Sequence, residues 1–346
     1  MERMKKQRLL GSILAMTLAL GLAACAGRGG TGTQADKPQE SRPAAGEYKV
    51  AVLLPGSIND GGWSTTGYEA AKKAAETIGA EFSYTETKSP QDAVDALTDY
   101  GERGFTMVFC HSYDYQDACA KVAPDYPNTQ FITSGGTIMT ENVTPIYVKS
   151  EQASYMLGVL AAKMTKTKKV GLVGSEELSA ITKTMKGFEQ GVKDTDATVE
   201  VVITYLGTST DVGKAREATL ALVNNGCDII FGNANAAAQG VFQAVDECKG
   251  QGVLGFGSYG HITQTYPNCF IADMISDYEP VFVEMAEKIK DGTFTPGAQY
   301  FADIFNGGAN VFFNEKLPVP DEVMEVYNAA LEGFRTDSIT IDIGEY

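Results

Sequence analysis

Residues 49–87 read KVAVLLPGSINDGGWSTTGYEAAKKAAETIGAEFSYTET, and this stretch decides the fold. KVAVLLPG (49–56) is a continuous apolar run, the pattern of a strand buried on both faces of a parallel sheet. From Thr66 to about Ile78, Ala70, Ala71, Ala74, Ala75 and Ile78 recur at helical spacing along one side. Thr66 and Glu69 stand three residues apart, as in a capping box, which predicts a helix start at Thr66. EFSYTET (81–87) then reads as a second strand. Strand, helix and strand in that order form a βαβ unit with a right-handed crossover.

The alternation continues outward from this unit. Helix 91–102, strand FTMVFCH, helix 115–123 and strand QFITSG follow, and the pattern restarts after Tyr147–Lys149. Helix 152–164, strand KVGLVGS, helix 178–193, strand VEVVITYLG, helix 212–225, strand CDIIFGN, helix 236–248 and strand GVLGFGS make a second series. Strand CFIADM, helix 279–290, strands near 299–304 and 310–313, and helix 320–334 are too few for a third domain. The expected fold class is therefore α/β, with two Rossmann-like lobes whose parallel sheets are joined by hinge strands. The expected lobes are 48–148 with about 258–292, and 149–257 with about 293–346.

Upstream, Arg3, Lys5, Lys6 and Arg8 precede an apolar run from Leu9 to about Ala24. That run is shorter than the roughly 20 residues of a spanning helix and has the flanks of a signal peptide. Leu22-Ala23-Ala24-Cys25 resembles a bacterial lipobox, which implies cleavage after residue 24 and lipidation of Cys25. Residues 25–47 are rich in Gly, Pro and polar side chains, a composition that buries no core, and read as a tether reaching on the order of 25 Å. The expected location is the extracytoplasmic face of a cell membrane, held there by lipid.

The chain carries 28 basic and 44 acidic residues; without residues 1–24 the count is 24 against 43, a net charge of −19. So acidic a body has no electrostatic footprint for nucleic acid. With Cys25 acylated, five cysteines remain, with no CxxC and two histidines in the chain, which is no zinc or redox framework. Gly255 to Gly260 fits G-x-G-x-x-G, but HITQTYPNC leads on to the next strand without room for a pyrophosphate-binding helix. Gly207 to Lys214 has one residue too many for a phosphate loop, and Ala215 stands where a magnesium-binding hydroxyl is needed. H-E-x-x-H and a nucleophile elbow are both missing from the sequence. No cofactor, metal or catalytic set is expected, and the reading is a binding protein rather than an enzyme.

In open α/β sheets ligands bind beyond the carboxyl ends of the strands. Those ends carry Ser57, Asn59, Asp60 and Trp63; His111, Ser112, Tyr113 and Tyr115; Asn233 and Asn235; and Ser258 and Tyr259. Aromatic rings and neutral amides suit a flat, weakly charged, hydrogen-bonding solute, and a sugar fits the same description.

The blocks SINDGGWSTTGYEAAKKAAETIGAE, FTMVFCHSYDYQDACAKVAPDYPNTQF, EQASYMLGVLAAKMTKTKKVGLVG, GFEQGV and NNGCDIIF resemble the basic membrane protein family, collinearly from about Lys49 to Gly292. These are substrate-binding lipoproteins of ABC importers, related to the bacterial purine nucleoside receptor. The resemblance implies a type I periplasmic-binding-protein fold, a purine nucleobase or nucleoside as ligand, and a permease and ATPase as partners. It implies that Asp60 is the family's acidic residue of the first loop and that Trp63 replaces a stacking Phe. By the same resemblance Tyr113 is the aromatic after the third strand, Phe231 is the second stacking ring and Asn233 is a pocket contact. Two departures weaken the case for a ribose. Gly255-Phe256-Gly257-Ser258-Tyr259-Gly260 stands where nucleoside binders have G-x-D-x-D, and Ser276 replaces their lysine. Gly135 aligns with a further acidic residue of the family. The ligand-site residues expected are thus Asn59, Asp60, Trp63, Ser112, Tyr113, Phe231, Asn233, Asn235 and Ser258. The alternatives are a surface sensory receptor of the same fold, or a binding protein for another small polar solute such as a sugar.

Overall fold

A computed structural model of the chain describes residues 48–59 and 63–344. Expectations for residues 1–47, including Cys25, and for Asp60 fall outside the described residues. The first series forms β1 (Lys49–Leu54), α1 (Trp63–Ile78), β2 (Glu81–Glu86), α2 (Pro90–Glu102), β3 (Met107–Cys110), α3 (Gln116–Val122), β4 (Gln130–Ser134) and β5 (Val143–Val148). The second forms α4 (Ser150–Met164), β6 (Lys169–Gly174), α5 (Ser179–Thr195), β7 (Glu200–Tyr205), α6 (Val212–Asn224), β8 (Ile229–Asn233), α7 (Ala238–Cys248), β9 (Leu254–Ser258), α8 (Ile262–Thr265) and β10 (Phe270–Ser276). The chain ends with α9 (Glu279–Asp291), β11 (Tyr300–Ala302), β12 (Ala309–Phe313) and α10 (Asp321–Arg335). Among the described residues no helix is long and apolar enough to cross a membrane.

Two six-stranded sheets result, ordered β11-β5-β4-β3-β1-β2 and β12-β10-β9-β8-β6-β7. The ladders pair in parallel throughout, except that β12 runs antiparallel to β10. The continuous apolar strands feed a core on each face. In β1, Val50, Val52 and Leu54 join the layer of α1 and α9, while Ala51 and Leu53 join the layer of α2 and α3. The second sheet divides in the same way: Ile229 and Phe231 face α4 and α5, and Ile230 faces α6 and α7.

Local chemistry fixes the helix starts. Ser89 caps α2 by accepting from Asp92 N at 3.2 Å ahead of Pro90, and Asp211 caps α6 by accepting from Lys214 N at 2.9 Å. The capping box expected at Thr66 does not form. Helix α1 begins three residues earlier, at Trp63, and the Thr66 hydroxyl instead donates to Trp63 O at 2.9 Å. Inside a helix, Thr satisfies its hydroxyl on the preceding turn, so the Thr-x-x-Glu spacing alone does not mark a start. Helices α4 and α5 touch backbone to backbone: a methyl on Gly158, Gly187 or Gly191 would overlap Phe188 O, Glu151 O or Tyr155 O.

The lobe boundaries differ from the expected ones. β10 pairs with β9 and β12 in the second sheet, so residues 258–276 do not belong to the first lobe. β11 pairs with β5 in the first sheet, and α9 packs on α1 there. An apolar strand reads alike whichever sheet accepts it, and only its ladder partners assign it. The chain therefore crosses between lobes at Lys149, at 277–278 and at 303–308. HITQTYPNC, read as strand connection only, holds the single turn α8.

Candidate functional site

Several exposed large apolar side chains stand at the carboxyl ends of the strands. Trp63 (44 % exposed) and Tyr113 (61 %) stand at those ends of the first sheet; Leu178 (56 %) and Tyr259 (52 %) stand at those of the second. Apolar surface left at the ends of both sheets is surface kept for a partner or a solute.

Trp63 is braced from behind. Its Nε1 donates to His111 O at 2.7 Å, its ring stacks on the His111 imidazole with centroids 4.0 Å apart and planes 17° apart, and the Tyr278 ring meets it edge-on at 5.4 Å. One face of the indole is thus occupied and its tilt is fixed. His111 is fully buried: its Nδ1 pairs with Ser134 Oγ at 2.8 Å, and the Tyr278 and Phe282 rings meet it edge-on. Gly67 is obligatory beneath it, because a methyl there would stand 2.5 Å from His111 Cγ. His111 stood among the strand-end residues in the sequence, but its role as a support for the indole, shared with Tyr278, was not legible there.

Ser112 is buried and caps the following turn, accepting from Asp114 N at 3.2 Å, while Tyr113 projects outward. Tyr115 turns inward, where its hydroxyl bonds Thr87 Oγ1 at 2.7 Å and burial pushes its pKa up to about 12. Asn59 is exposed on the first loop, with its N–H donating to Ser57 Oγ at 3.3 Å.

On the second sheet the expectations separate. Phe231 is fully buried, its ring parallel to Phe188 at 5.4 Å and its neighbour Phe256 packed beyond. The stacking role implied for Phe231 is therefore corrected. It lies two residues inside the end of a strand covered on both faces, so its side chain enters the core under α5. Asn233, the last residue of β8, is buried and accepts from the Tyr259 hydroxyl. Ser258 is buried and spends its hydroxyl on Gly232 O, and Asn235 is exposed with φ +50°. Tyr259 has φ +65°; burial of its hydroxyl pushes its pKa up to about 12, against the opposing pull of the Asn235 backbone. Ser175, just after β6, is also buried here, and its Oγ has no hydrogen-bond partner among the described residues.

Among the described residues no cluster of three or more His, Cys, Asp or Glu could hold a metal ion. Rings, amides and hydroxyls stand at the carboxyl ends of the two sheets, groups that stack and hydrogen-bond. The family model described as ABC transporter substrate-binding protein PnrA-like matches residues 47–332. The chain belongs to this Bmp family. A Bmp-family protein is the substrate-binding component of an ABC transporter, which implies a small-molecule ligand and a permease and ATPase as partners. The chain is 25 % identical over 351 residues to the ABC transporter nucleoside-binding protein BmpA of Lactococcus lactis subsp. cremoris (strain MG1363), covering 95 % of this chain and 98 % of that protein. It is 24 % identical over 251 residues to a purine-binding protein of Brucella abortus (strain 2308), covering 72 % and 70 %. In fold it is similar to an ABC transporter solute-binding protein from Conexibacter woesei DSM 14684, with TM-score 0.70, 24 % identity, and coverage of 86 % of this chain and 100 % of that one.

Proposed function

We propose that this Bmp-family protein is an exported lipoprotein, anchored through Cys25 at the extracytoplasmic face of the cell membrane. In this reading it takes up a purine nucleobase or nucleoside between its lobes and presents it to the permease. The observation that carries the ligand class is Trp63: an indole braced on one face by His111 and still 44 % exposed at the strand ends. A purine offers a planar π-face for that ring and polar edges for amides such as Asn235. The nucleoside- and purine-binding relatives support the same class. The acidic body would be repelled by anionic lipid, so lipidation of Cys25 supplies the attachment that charge does not.

Because Trp63 is the single tryptophan in the chain, its emission reports the site directly. Adenine, guanine, hypoxanthine, adenosine and guanosine are titrated with calorimetry and fluorescence in parallel, with glucose as the non-planar comparison. Saturable binding of a purine with a change in emission is the expected result. Glucose binding with no purine binding refutes the ligand class. For the anchor, Cys25→Ser is expected to release the protein from membranes into the soluble fraction, and retention of the variant refutes lipidation.

A further inference from the structure

With Phe231 in the core, the second lobe needs another ring if a base is held on both faces. We infer that Tyr259 is that ring and that the solute lies between Trp63 and Tyr259. This inference rests on the purine reading of the same site. Tyr259 sits directly after β9, at the carboxyl edge of the second sheet, as Trp63 sits beyond β1 in the first. It is half exposed, while Phe231 and Phe256, the aromatic residues within β8 and β9, are fully buried. Leu178, also exposed on that edge, has no π-face.

Like Trp63, Tyr259 is held from behind. Its hydroxyl donates to Asn233 Oδ1, and Asn233 is itself buried at the end of β8. A tyrosine tied at its far end and set on a left-handed backbone (φ +65°) has lost much of its rotational freedom before any solute arrives. A bulky residue at positive φ is uncommon and persists where the surroundings over-determine it. The positions of both rings on hydrogen-bonded supports would let closure of the lobes bring two fixed plates together. The Asn233 amide in this scheme is a positioning group, since its oxygen is already engaged by the phenol.

The test is calorimetry with the purine that binds the wild type most tightly, with melting curves for every variant. Tyr259→Asn removes the ring but tolerates the left-handed backbone. Its Kd should rise about 5- to 150-fold, the loss expected for one base–aromatic stack, with the melting temperature nearly unchanged. Tyr259→Leu provides the same test with the bulk retained, should the first variant fold poorly. Tyr259→Phe keeps the plate and loses the tether, so its Kd should rise roughly 2- to 13-fold, as for one neutral hydrogen bond. Phe231→Leu should lower the melting temperature and leave Kd within about twofold, as for a core residue away from the solute. Wild-type binding with Kd unmoved in folded Tyr259→Asn or Tyr259→Leu overturns the Tyr259 assignment and leaves the Trp63 reading standing. A larger loss in Phe231→Leu than in either Tyr259 variant overturns it in the same way. A wild type that binds no purine overturns both.

Discussion

Gly67→Ala tests whether the bracing of Trp63 is as tight as the geometry requires. Gly67 lies inside α1, and in an unobstructed helix interior Ala is favoured over Gly by about 1 kcal/mol. Here the added methyl would stand 2.5 Å from Cγ and 2.9 Å from Nε2 of His111. The imidazole has nowhere to retreat, being stacked under Trp63 at 4.0 Å, edge-on to Tyr278 at 4.8 Å and bonded to Ser134. Overpacking of this kind costs about 1–3 kcal/mol. Against the propensity gain, the net is a destabilisation of up to about 2 kcal/mol, or several degrees in melting temperature. The indole must shift with its support, so the emission maximum of Trp63 should move as well. Gly213→Ala is the control: that glycine is exposed in the first turn of α6, where a methyl meets nothing nearer than Asp211 Oδ1 at 3.4 Å. It should be neutral or slightly stabilising. If Gly67→Ala stabilises the protein as Gly213→Ala does, with unshifted emission, the claim that His111 is boxed in is wrong.

Other perturbations address the ligand, the crossing strands and the surface. Trp63→Ala should weaken purine binding roughly 5- to 150-fold by calorimetry, and an unchanged Kd would dismiss the stacking role. Lys183, on α5, donates to Val148 O at 2.7 Å, lies over the Tyr147 ring at 3.9 Å and pairs with Glu151 at 3.6 Å. Burial lowers its pKa, partly offset by Glu151. Lys183→Met strands a largely buried carboxylate at the first lobe crossing and should cost about 2–4 kcal/mol, near the low end for broken buried pairs; calorimetric melting within about 1 °C of wild type would contradict this. Asp196 is held well below the usual carboxylate range, first by Lys168 at 2.7 Å and then by the Thr198 hydroxyl and N–H. A depressed carboxyl stabilises above its unfolded pKa and loses that contribution as pH falls through its folded one. Asp196→Asn should therefore melt below wild type at pH 7, with the gap closing from about pH 4 downward. A gap that stays constant down to about pH 2 would assign the effect to something other than charge.

What could be read in the sequence follows from which interactions are local. The β1–α1–β2 unit was legible because strand apolarity and the Ala70-Ala71-Ala74-Ala75-Ile78 spacing are properties of contiguous residues. The division of the C-terminal strands between the sheets was not, since β10 and β11 are assigned only by ladders to β9 and β5. The same limit governed the site. Trp63 stood out as the lone tryptophan on a Gly-rich loop, but its support comes from His111 and Tyr278, 48 and 215 positions away in sequence. Phe231 and Tyr259 were both strand-end aromatics by position, and alternation could not separate them where both strand faces are covered. Burial separates them at once.

Tyr278 connects the proposed binding ring, Trp63, to a crossing between the lobes. The second crossing between lobes is only two residues long, Asp277 and Tyr278, set between β10 in the second sheet and α9 on the first. Asp277 fixes the start of α9 by accepting from Glu279 N at 2.9 Å, and its own N–H donates to Gly308 O at 3.2 Å, where the third crossing ends. Tyr278 then turns its ring onto both Trp63 and His111. The first crossing meets the start of the third as well: Lys149 N donates to Ala302 O, at the end of β11, at 2.8 Å, and Lys149 Nζ lies 4.0 Å from Asp303 Oδ2. Rotation of one lobe on the other has to be absorbed in these segments, because both sheets are close-packed on each face and deform little. Of the three crossings, the second alone carries a side chain that rests on Trp63 among the described contacts. A solute stacked on the indole as proposed would therefore press on a residue of the crossing itself, with no intervening element between the ring and the crossing strand.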